Sequence, residues 1–111
     1  MISTINICGN EYQYSTSFGF MLKYKSQFKE DVAGIIIYAV SASQTDETGL
    51  AAIAKIGFVN IARIAWSCIA VCDKTIEPFD KWIEKFDEFP VLQVATEMLP
   101  NIFSSLSSKK K

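Results

Sequence analysis

Four acidic side chains near residue 80 are the first candidates for chemistry, since paired carboxylates can perform general acid–base catalysis. They are Asp80, Glu84, Asp87 and Glu88, and lysines are interspersed among them. A catalytic pair requires that the pKa of one carboxyl group be raised above that of the other, and no neighbouring residue would do this here. We therefore interpret them as the solvated face of an amphipathic helix.

The absence of histidine narrows the chemistry further. Without imidazole, the chain lacks the usual general base near neutral pH and the base of any Ser-His or Cys-His pair. Cys68 and Cys72 lie four residues apart in an apolar run, where the spacing suits neither a disulfide nor a zinc site. We interpret these two and Cys8 as buried thiols in a reducing cytosol. The sequence thus predicts no catalytic residue, metal site or cofactor, and indicates a binding protein.

Composition bounds the architecture. A chain of 111 residues is long enough for one core, and we expect a single domain over residues 1–103 with a flexible basic tail at 104–111. Half of the residues are hydrophobic, which is rich for a lone monomer, so part of the surface is expected to need a partner. The net charge of −1 includes three lysines at the end of the chain, so the body is acidic and we expect no nucleic-acid binding.

The apolar stretch from Leu50 to Cys72 is long enough to span a membrane, but it contains Lys55, Asn60 and Arg63. Each of the two charges costs about 2.5–3.5 kcal/mol at the centre of a membrane-spanning helix. The apolar run Ala33–Ala42 is too short to span, and the sequence does not open like a secretion signal. We therefore expect no membrane association.

The first 15 residues predict a β-hairpin, at about residues 2–15. Polar and apolar residues alternate over Ser3–Ile7 and again over Tyr12–Tyr14, and Cys8–Glu11 supplies turn residues. A helix is expected next, capped by the hydroxyl groups of residues 15–17, and the hairpin should pack against it. The residues at helical spacing that define its packing face are Phe18, Met21, Leu22, Lys25 and Phe28.

The middle of the chain predicts two further helices. Asp31 can cap a helix from Val32 to about Ala42, although Ile35–Tyr38 fits a strand equally well. After the polar loop Ser43–Thr48, which contains possible caps at 46 and 48, a long third helix is expected over Leu50–Cys72. Its apolar arc is about 160° wide, which indicates either the centre of a bundle or half of a subunit interface. We favour the bundle centre.

Two more helices complete the prediction. Pro78 fits the first turn of the fourth, in which Glu77 can pair with Lys81, and Asp87–Pro90 should end it. A fifth begins at residue 91, Pro100 ends or kinks it, and residues 102–106 add a last turn. These elements predict an α+β, mainly α-helical fold, in which an N-terminal β-hairpin packs on a bundle of about four to five helices at residues 17–103.

Large aromatic residues are the candidates for contact with a partner or with a second copy, because such side chains dominate interface energetics. Their helical spacing also fits the core of a small domain, and we favour that interpretation. The candidates are Trp66, Phe79, Trp82, Phe86 and Phe89.

The order of these elements resembles the tail assembly chaperones of long-tailed bacteriophages and prophages. The resemblance covers roughly Ile2 to Leu99, and its strongest pieces are the hairpin-to-helix passage ISTINICGNEYQY–SFGFMLKYKSQF and the segment PFDKWIEKFDEFP. The very apolar segment Ile35–Val40 departs from the family pattern.

The resemblance implies a non-enzymatic protein of the host bacterial cytoplasm, absent from the mature virion, that escorts the helical tape measure protein before the tail tube forms around it. It further implies self-association and possible contact with the tail tube protein. Members of the family are often made in two lengths by ribosomal frameshifting, for which Lys109–Lys111 could mark a slippery run or be a plain basic tail. The alternative functions are a generic helical adaptor or small structural subunit of a phage or bacterial assembly and, last, an enzyme.

Overall fold

The fold is a β-hairpin on a set of helices, as seen in a computed structural model that describes residues 2–43 and 50–107. The predicted class, α+β and mainly helical, is confirmed, with six helices where about four to five were expected. The strands and helices are β1 (Ile2–Ile7), β2 (Asn10–Ser15), α1 (Gly19–Phe28), α2 (Ala33–Ser43), α3 (Leu50–Ile56), α4 (Phe58–Cys72), α5 (Phe79–Glu84) and α6 (Val91–Ser107).

The hairpin forms where the alternation predicted it. Strands β1 and β2 are antiparallel, and the pair Ile7↔Asn10 closes them over a two-residue turn. Both turn residues have positive φ, 53° at Cys8 and 88° at Gly9, as the twist of a tight hairpin requires. Asn6 Oδ1 accepts a hydrogen bond from the Gly9 N–H at 3.0 Å. The hairpin packs on α4 and α6, so the expectation that it lies against α1 is wrong.

The predicted packing face of α1 is only partly correct. Met21 and Phe28 pack against the core, but Phe18 and Leu22 are exposed. Phe20 and Tyr24, which were not predicted, are fully buried and face α4. The expected hydroxyl cap is also wrong, because Phe18 is the N-cap and makes no side-chain hydrogen bond.

The hydroxyl groups near the start of α1 serve other contacts. Ser15 Oγ accepts a hydrogen bond from the Ser17 N–H at 3.1 Å. The hydroxyls of Thr16 and Ser105 lie 2.6 Å apart and link the hairpin end to α6.

The apolar segment after Asp31 is a helix, which resolves the choice between helix and strand. Asp31 Oδ1 accepts a hydrogen bond from the Ala33 N–H at 2.9 Å, as the predicted cap requires. Helix α2 packs on α3. The loop and the caps predicted at residues 44–48 lie outside the described residues.

The predicted continuous third helix is wrong, since it is broken at Gly57 into α3 and α4. Gly57 has φ 92° and ψ 144°, a backbone conformation that is essentially restricted to glycine. Helix α4 lies at the centre and packs against α1, α3, α5, α6 and β2, which confirms the predicted bundle centre for this half. The periodicity missed the break because α3 and α4 are both apolar.

Helix α5 is shorter than predicted and begins after Pro78, which is its N-cap and not part of its first turn. Glu77 is therefore outside the helix, and its carboxylate pairs with Lys85 Nζ at 2.9 Å instead of with Lys81. Each of these two exposed groups changes the pKa of the other. The hydrogen bond from Lys85 is the main reason that the pKa of Glu77 is lowered, and the same bond raises the pKa of Lys85. The helix ends before the predicted breaker at 87–90.

Helix α6 continues through Pro100 to Ser107, so Pro100 does not end it. Contacts of the two residues after the proline hold the helix in place. Ile102 is fully buried, and the Asn101 amide donates a hydrogen bond to the Tyr14 hydroxyl at 2.8 Å. Residues 104–107 were predicted to be a flexible tail and are helical instead, while 108–111 lie outside the described residues. Within residues 2–43 and 50–107, no helix combines the length and apolar character needed to cross a membrane.

Candidate partner-binding surface

The aromatic residues predicted to contact a partner fall into two clusters. In the first, the Phe28 ring contacts those of Trp66 and Phe79 edge to face, with ring centroids 5.9 and 5.1 Å away. Trp66 Nε1 donates a hydrogen bond to the Glu77 carbonyl at 2.8 Å, which ties α4 to the segment before α5. The Arg63 guanidinium lies 4.9 Å from the Phe28 ring centroid and covers the cluster on one side.

The second cluster surrounds Trp82, which is fully buried. The rings of Tyr12, Phe86 and Phe89 approach it edge to face, with centroids 5.9, 5.0 and 5.7 Å away. The indole N–H of Trp82 has no hydrogen-bond partner among the described residues. The cluster joins the hairpin to α5 and the loop that follows it.

Burial separates the five candidates. Trp66, Phe79 and Trp82 belong to the core of the monomer, as the core interpretation expects, and they offer no free surface. Phe86 and Phe89 are partly buried against Trp82, and a partner contact at these two positions stays a prediction.

Two regions hold the side chains considered for chemistry. Cys8 Sγ donates a hydrogen bond to the Glu88 carbonyl at 3.6 Å, and Cys68 and Cys72 lie one turn apart on α4. The four acidic residues near residue 80 are exposed, as expected for a solvated face. Cys68 is buried, and burial raises the pKa of its thiol far above the usual range. Cys72 is half-buried and Cys8 is exposed, so the expectation of three buried thiols is wrong: the tight turn places Cys8 at the surface. The described ranges contain no group of three or more residues that could hold a metal ion.

The surface that the sequence analysis missed is the outer face of α2. Gly34, Ile37, Tyr38 and Ser41 are exposed at the i, i+3, i+4, i+7 spacing of one helix face, and we call this set the α2 stripe. Ile37 is 66% exposed and Tyr38 57% exposed, whereas the neighbouring Ile36 is only 1% exposed. The opposite face of α2 is thus packed on the protein while the stripe faces solvent.

The α2 stripe carries no charge of its own. Helix α2, AGIIIYAVSAS, contains no charged residue. The cation that contacts it is Lys55, whose Nζ lies 5.1 Å from the Tyr38 ring centroid. Phe58 and Val59 add exposed apolar area at the start of α4.

Such a face is suited to packing against another apolar surface. Its two large side chains, Ile37 and Tyr38, supply the apolar area, while Ser41 adds a single small hydroxyl at one end. A helix without charged residues is normally buried on every side, so an exposed stripe of this kind marks a surface to be covered. The available signal in the sequence was the lack of any charge over Ala33–Ser43, which distinguishes α2 from every amphipathic helix of the chain.

Comparison with protein-family models, with curated proteins and with solved structures found no match.

Proposed function

We propose that the protein is a tail assembly chaperone of a long-tailed bacteriophage or prophage. In this role it binds the tape measure protein in the host bacterial cytoplasm, assists assembly of the tail tube and is absent from the mature virion. The order of hairpin and helices supports the proposal, because it is the order in which the sequence resembles that family.

The observation that carries the proposal is the exposed α2 stripe. A tape measure protein presents long apolar helical faces, which aggregate if they remain bare, and an uncharged helix face can cover them by helix-to-helix packing. Complete burial of a side chain such as Ile37 or Tyr38 contributes about 1.5–3 kcal/mol. Two such side chains are therefore enough to change an affinity by a factor of about a hundred or more.

Self-association is part of the proposal and draws on the same kind of surface. Phe58 and Val59 lie at the start of α4, each more than half exposed. If the tape measure protein covers the α2 stripe, these two residues provide apolar area for a second copy. An oligomer of this kind would place several α2 stripes along one long helical partner and raise the overall affinity through multivalency.

The test begins with the DNA that flanks the gene. We expect tail genes, including one for a very long helical protein, and that protein should stay in the supernatant of a cell lysate when it is co-expressed with this chain. Co-expression with the double variant Ile37→Ser/Tyr38→Ser should leave it in the pellet. Leu92→Ser, which alters an exposed leucine on α6, is the matched control and should behave as wild type.

Two results would reject the proposal. Flanking genes that encode no tail protein would favour the generic helical adaptor instead. A tape measure protein that aggregates equally with and without the wild-type chain would exclude a chaperone for it.

A further inference from the structure

A second apolar surface lies between α1 and the C-terminal end of α4. It is an open groove of about 400 Å³ lined by Gly19, Leu22, Lys23, Ser26, Val71 and Lys74. A Cβ on Gly19 would lie 3.7 Å from a methyl group of Val71, an ordinary van der Waals distance, so the two residues are neighbours here. We call this site the lysine groove.

The floor of the lysine groove is apolar and accessible. Leu22 is 62% exposed, and Phe18, one turn earlier on the same face of the segment, is 67% exposed. Val71 and Phe58 lie near opposite ends of α4, about 20 Å apart along the helix axis. The groove is therefore distinct from the exposed apolar residues at the start of α4.

The charges of the groove are all of one sign. Lys23 and Lys74 come from different elements and line both the groove and the hollow beside it. Neither lysine forms a salt bridge with any carboxylate in the part of the chain that the structure describes. Asp73 lines the neighbouring hollow, but its carboxylate accepts hydrogen bonds from the N–H and the hydroxyl of Thr75, at 2.9 and 2.6 Å.

This combination defines the chemistry of an occupant. The exposed Leu22 and the partly buried Val71 favour an apolar stripe, and two unpaired ammonium groups beside them favour carboxylates on its flanks. Bringing acidic side chains to these lysines also relieves the repulsion between the lysines. We propose that the lysine groove binds a helix of a partner protein in which acidic residues flank an apolar stripe.

A second copy of this chain is a poorer occupant. Its acidic helix is α5, where Asp80 and Glu84 are exposed but the apolar residues Phe79 and Trp82 are buried. It therefore offers carboxylates without an exposed apolar stripe. Its uncharged α2 stripe offers the reverse. The inference does not depend on the proposed chaperone function, because it concerns a different surface and is tested without a tape measure protein.

The experiment uses the full chain and two labelled peptides of about 18 residues, or five helical turns. Both carry leucine at i, i+3, i+4 and i+7; one carries glutamate on both flanks of this stripe and the other carries lysine there. Fluorescence anisotropy should show that the glutamate peptide binds at least about tenfold more tightly than the lysine peptide, and that raising the salt concentration weakens it.

Variants locate the binding. Lys23→Glu/Lys74→Glu should reverse the preference between the peptides, and Leu22→Ser should weaken binding of the glutamate peptide about tenfold or more. Ile37→Ser and Lys81→Glu alter an equally exposed isoleucine and an exposed lysine elsewhere, and should leave binding unchanged. The affected side chains are exposed or half-exposed, and circular dichroism will verify that each variant is folded.

Three results of the peptide titrations would overturn the inference. They are equal affinity for the two peptides, no binding of either, and binding that Ile37→Ser removes but Leu22→Ser does not. Self-association that Leu22→Ser abolishes would assign the groove to a second copy and would equally reject a foreign acidic helix.

Discussion

The aromatic clusters around α5 and the stripe on α2 are both apolar patterns at helical spacing, yet one is core and the other is surface. Trp82 is fully buried, whereas Ile37 and Tyr38 are more than half exposed. The segment with the larger rings supplied most of the candidates for partner contact, and it is the better buried of the two. Aromatic content alone therefore does not distinguish an interface from a core.

Charge explains the difference. In α5, Asp80, Lys81 and Glu84 are exposed, and their need for water turns Trp82 inward. Helix α2 has no charged residue, so its orientation is set by the Asp31 cap and by the burial of Val32 and Ile36. Because α2 has no charged residue of its own on its outer face, Ile37 and Tyr38 are the side chains that face solvent there.

Trp82→Ala should give the largest effect in this comparison. Removing the indole leaves a cavity between the hairpin and α5, and we expect a loss of about 3–5 kcal/mol in the free energy of unfolding, measured by urea denaturation. Leu92→Ala on the exposed side of α6 is the control and should change it by less than about 0.5 kcal/mol. An equally stable Trp82→Ala variant would mean that this cluster is not part of the core.

Adjacent isoleucines provide the sharpest form of the comparison. Ile36→Ala removes a side chain that is 1% exposed and should cost about 2–4 kcal/mol. Ile37→Ala removes one that is 66% exposed and should cost less than about 0.5 kcal/mol. Both values come from the same denaturation assay. Equal losses, or a larger loss at Ile37, would contradict the observed orientation of α2.

Gly57→Ala tests the break that separates α3, and with it α2, from the central helix. An alanine at φ 92° is strained, and we expect a loss of about 1–3 kcal/mol in stability, measured by the same urea denaturation. The loss comes from the backbone, because a Cβ at this position would meet only the Asn60 side chain, at 3.9 Å. A variant that is more stable than wild type would show that α3 and α4 can join as one helix.

Gly34→Ala should give a small effect of the opposite sign. A Cβ at this position meets nothing within 4 Å, and alanine favours the helix, so we expect a gain of about 0.5–1 kcal/mol in thermal or urea denaturation. A loss of stability in the monomer would show that another part of the chain covers the α2 stripe.

Much of the fold could be predicted because local rules agree with tertiary packing. Alternation and a glycine at residue 9 predicted the hairpin, and Asp31 predicted the start of α2. The break at Gly57 was not predictable by periodicity, since an isolated glycine within an apolar run is compatible with a helix. At Pro100 the sequence predicted an end or a kink, but the helix continues, because the buried Ile102 holds the segment beyond the proline.

The candidate surface was less predictable than the fold. Trp66, Phe79 and Trp82 were correctly assigned to helices, whereas Phe86 lies beyond the end of α5. Only the structure shows that Trp66, Phe79 and Trp82 are buried within the monomer. The orientation of α2 depends on which of two uncharged faces packs on the rest of the chain, and Ile36 and Ile37 lie side by side on different faces. Sequence spacing cannot rank faces whose chemistry is so similar.

The most direct test of the central claim, that the α2 stripe binds a helical partner, is an affinity measurement. Helical fragments of the tape measure protein that the proposed function expects in the same gene cluster should be titrated calorimetrically with wild-type protein, with Ile37→Ser/Tyr38→Ser and with Leu92→Ser. We predict that the double variant stays folded and binds at least about a hundredfold more weakly, while Leu92→Ser matches wild type. Equal affinity of the double variant and wild type would contradict the claim.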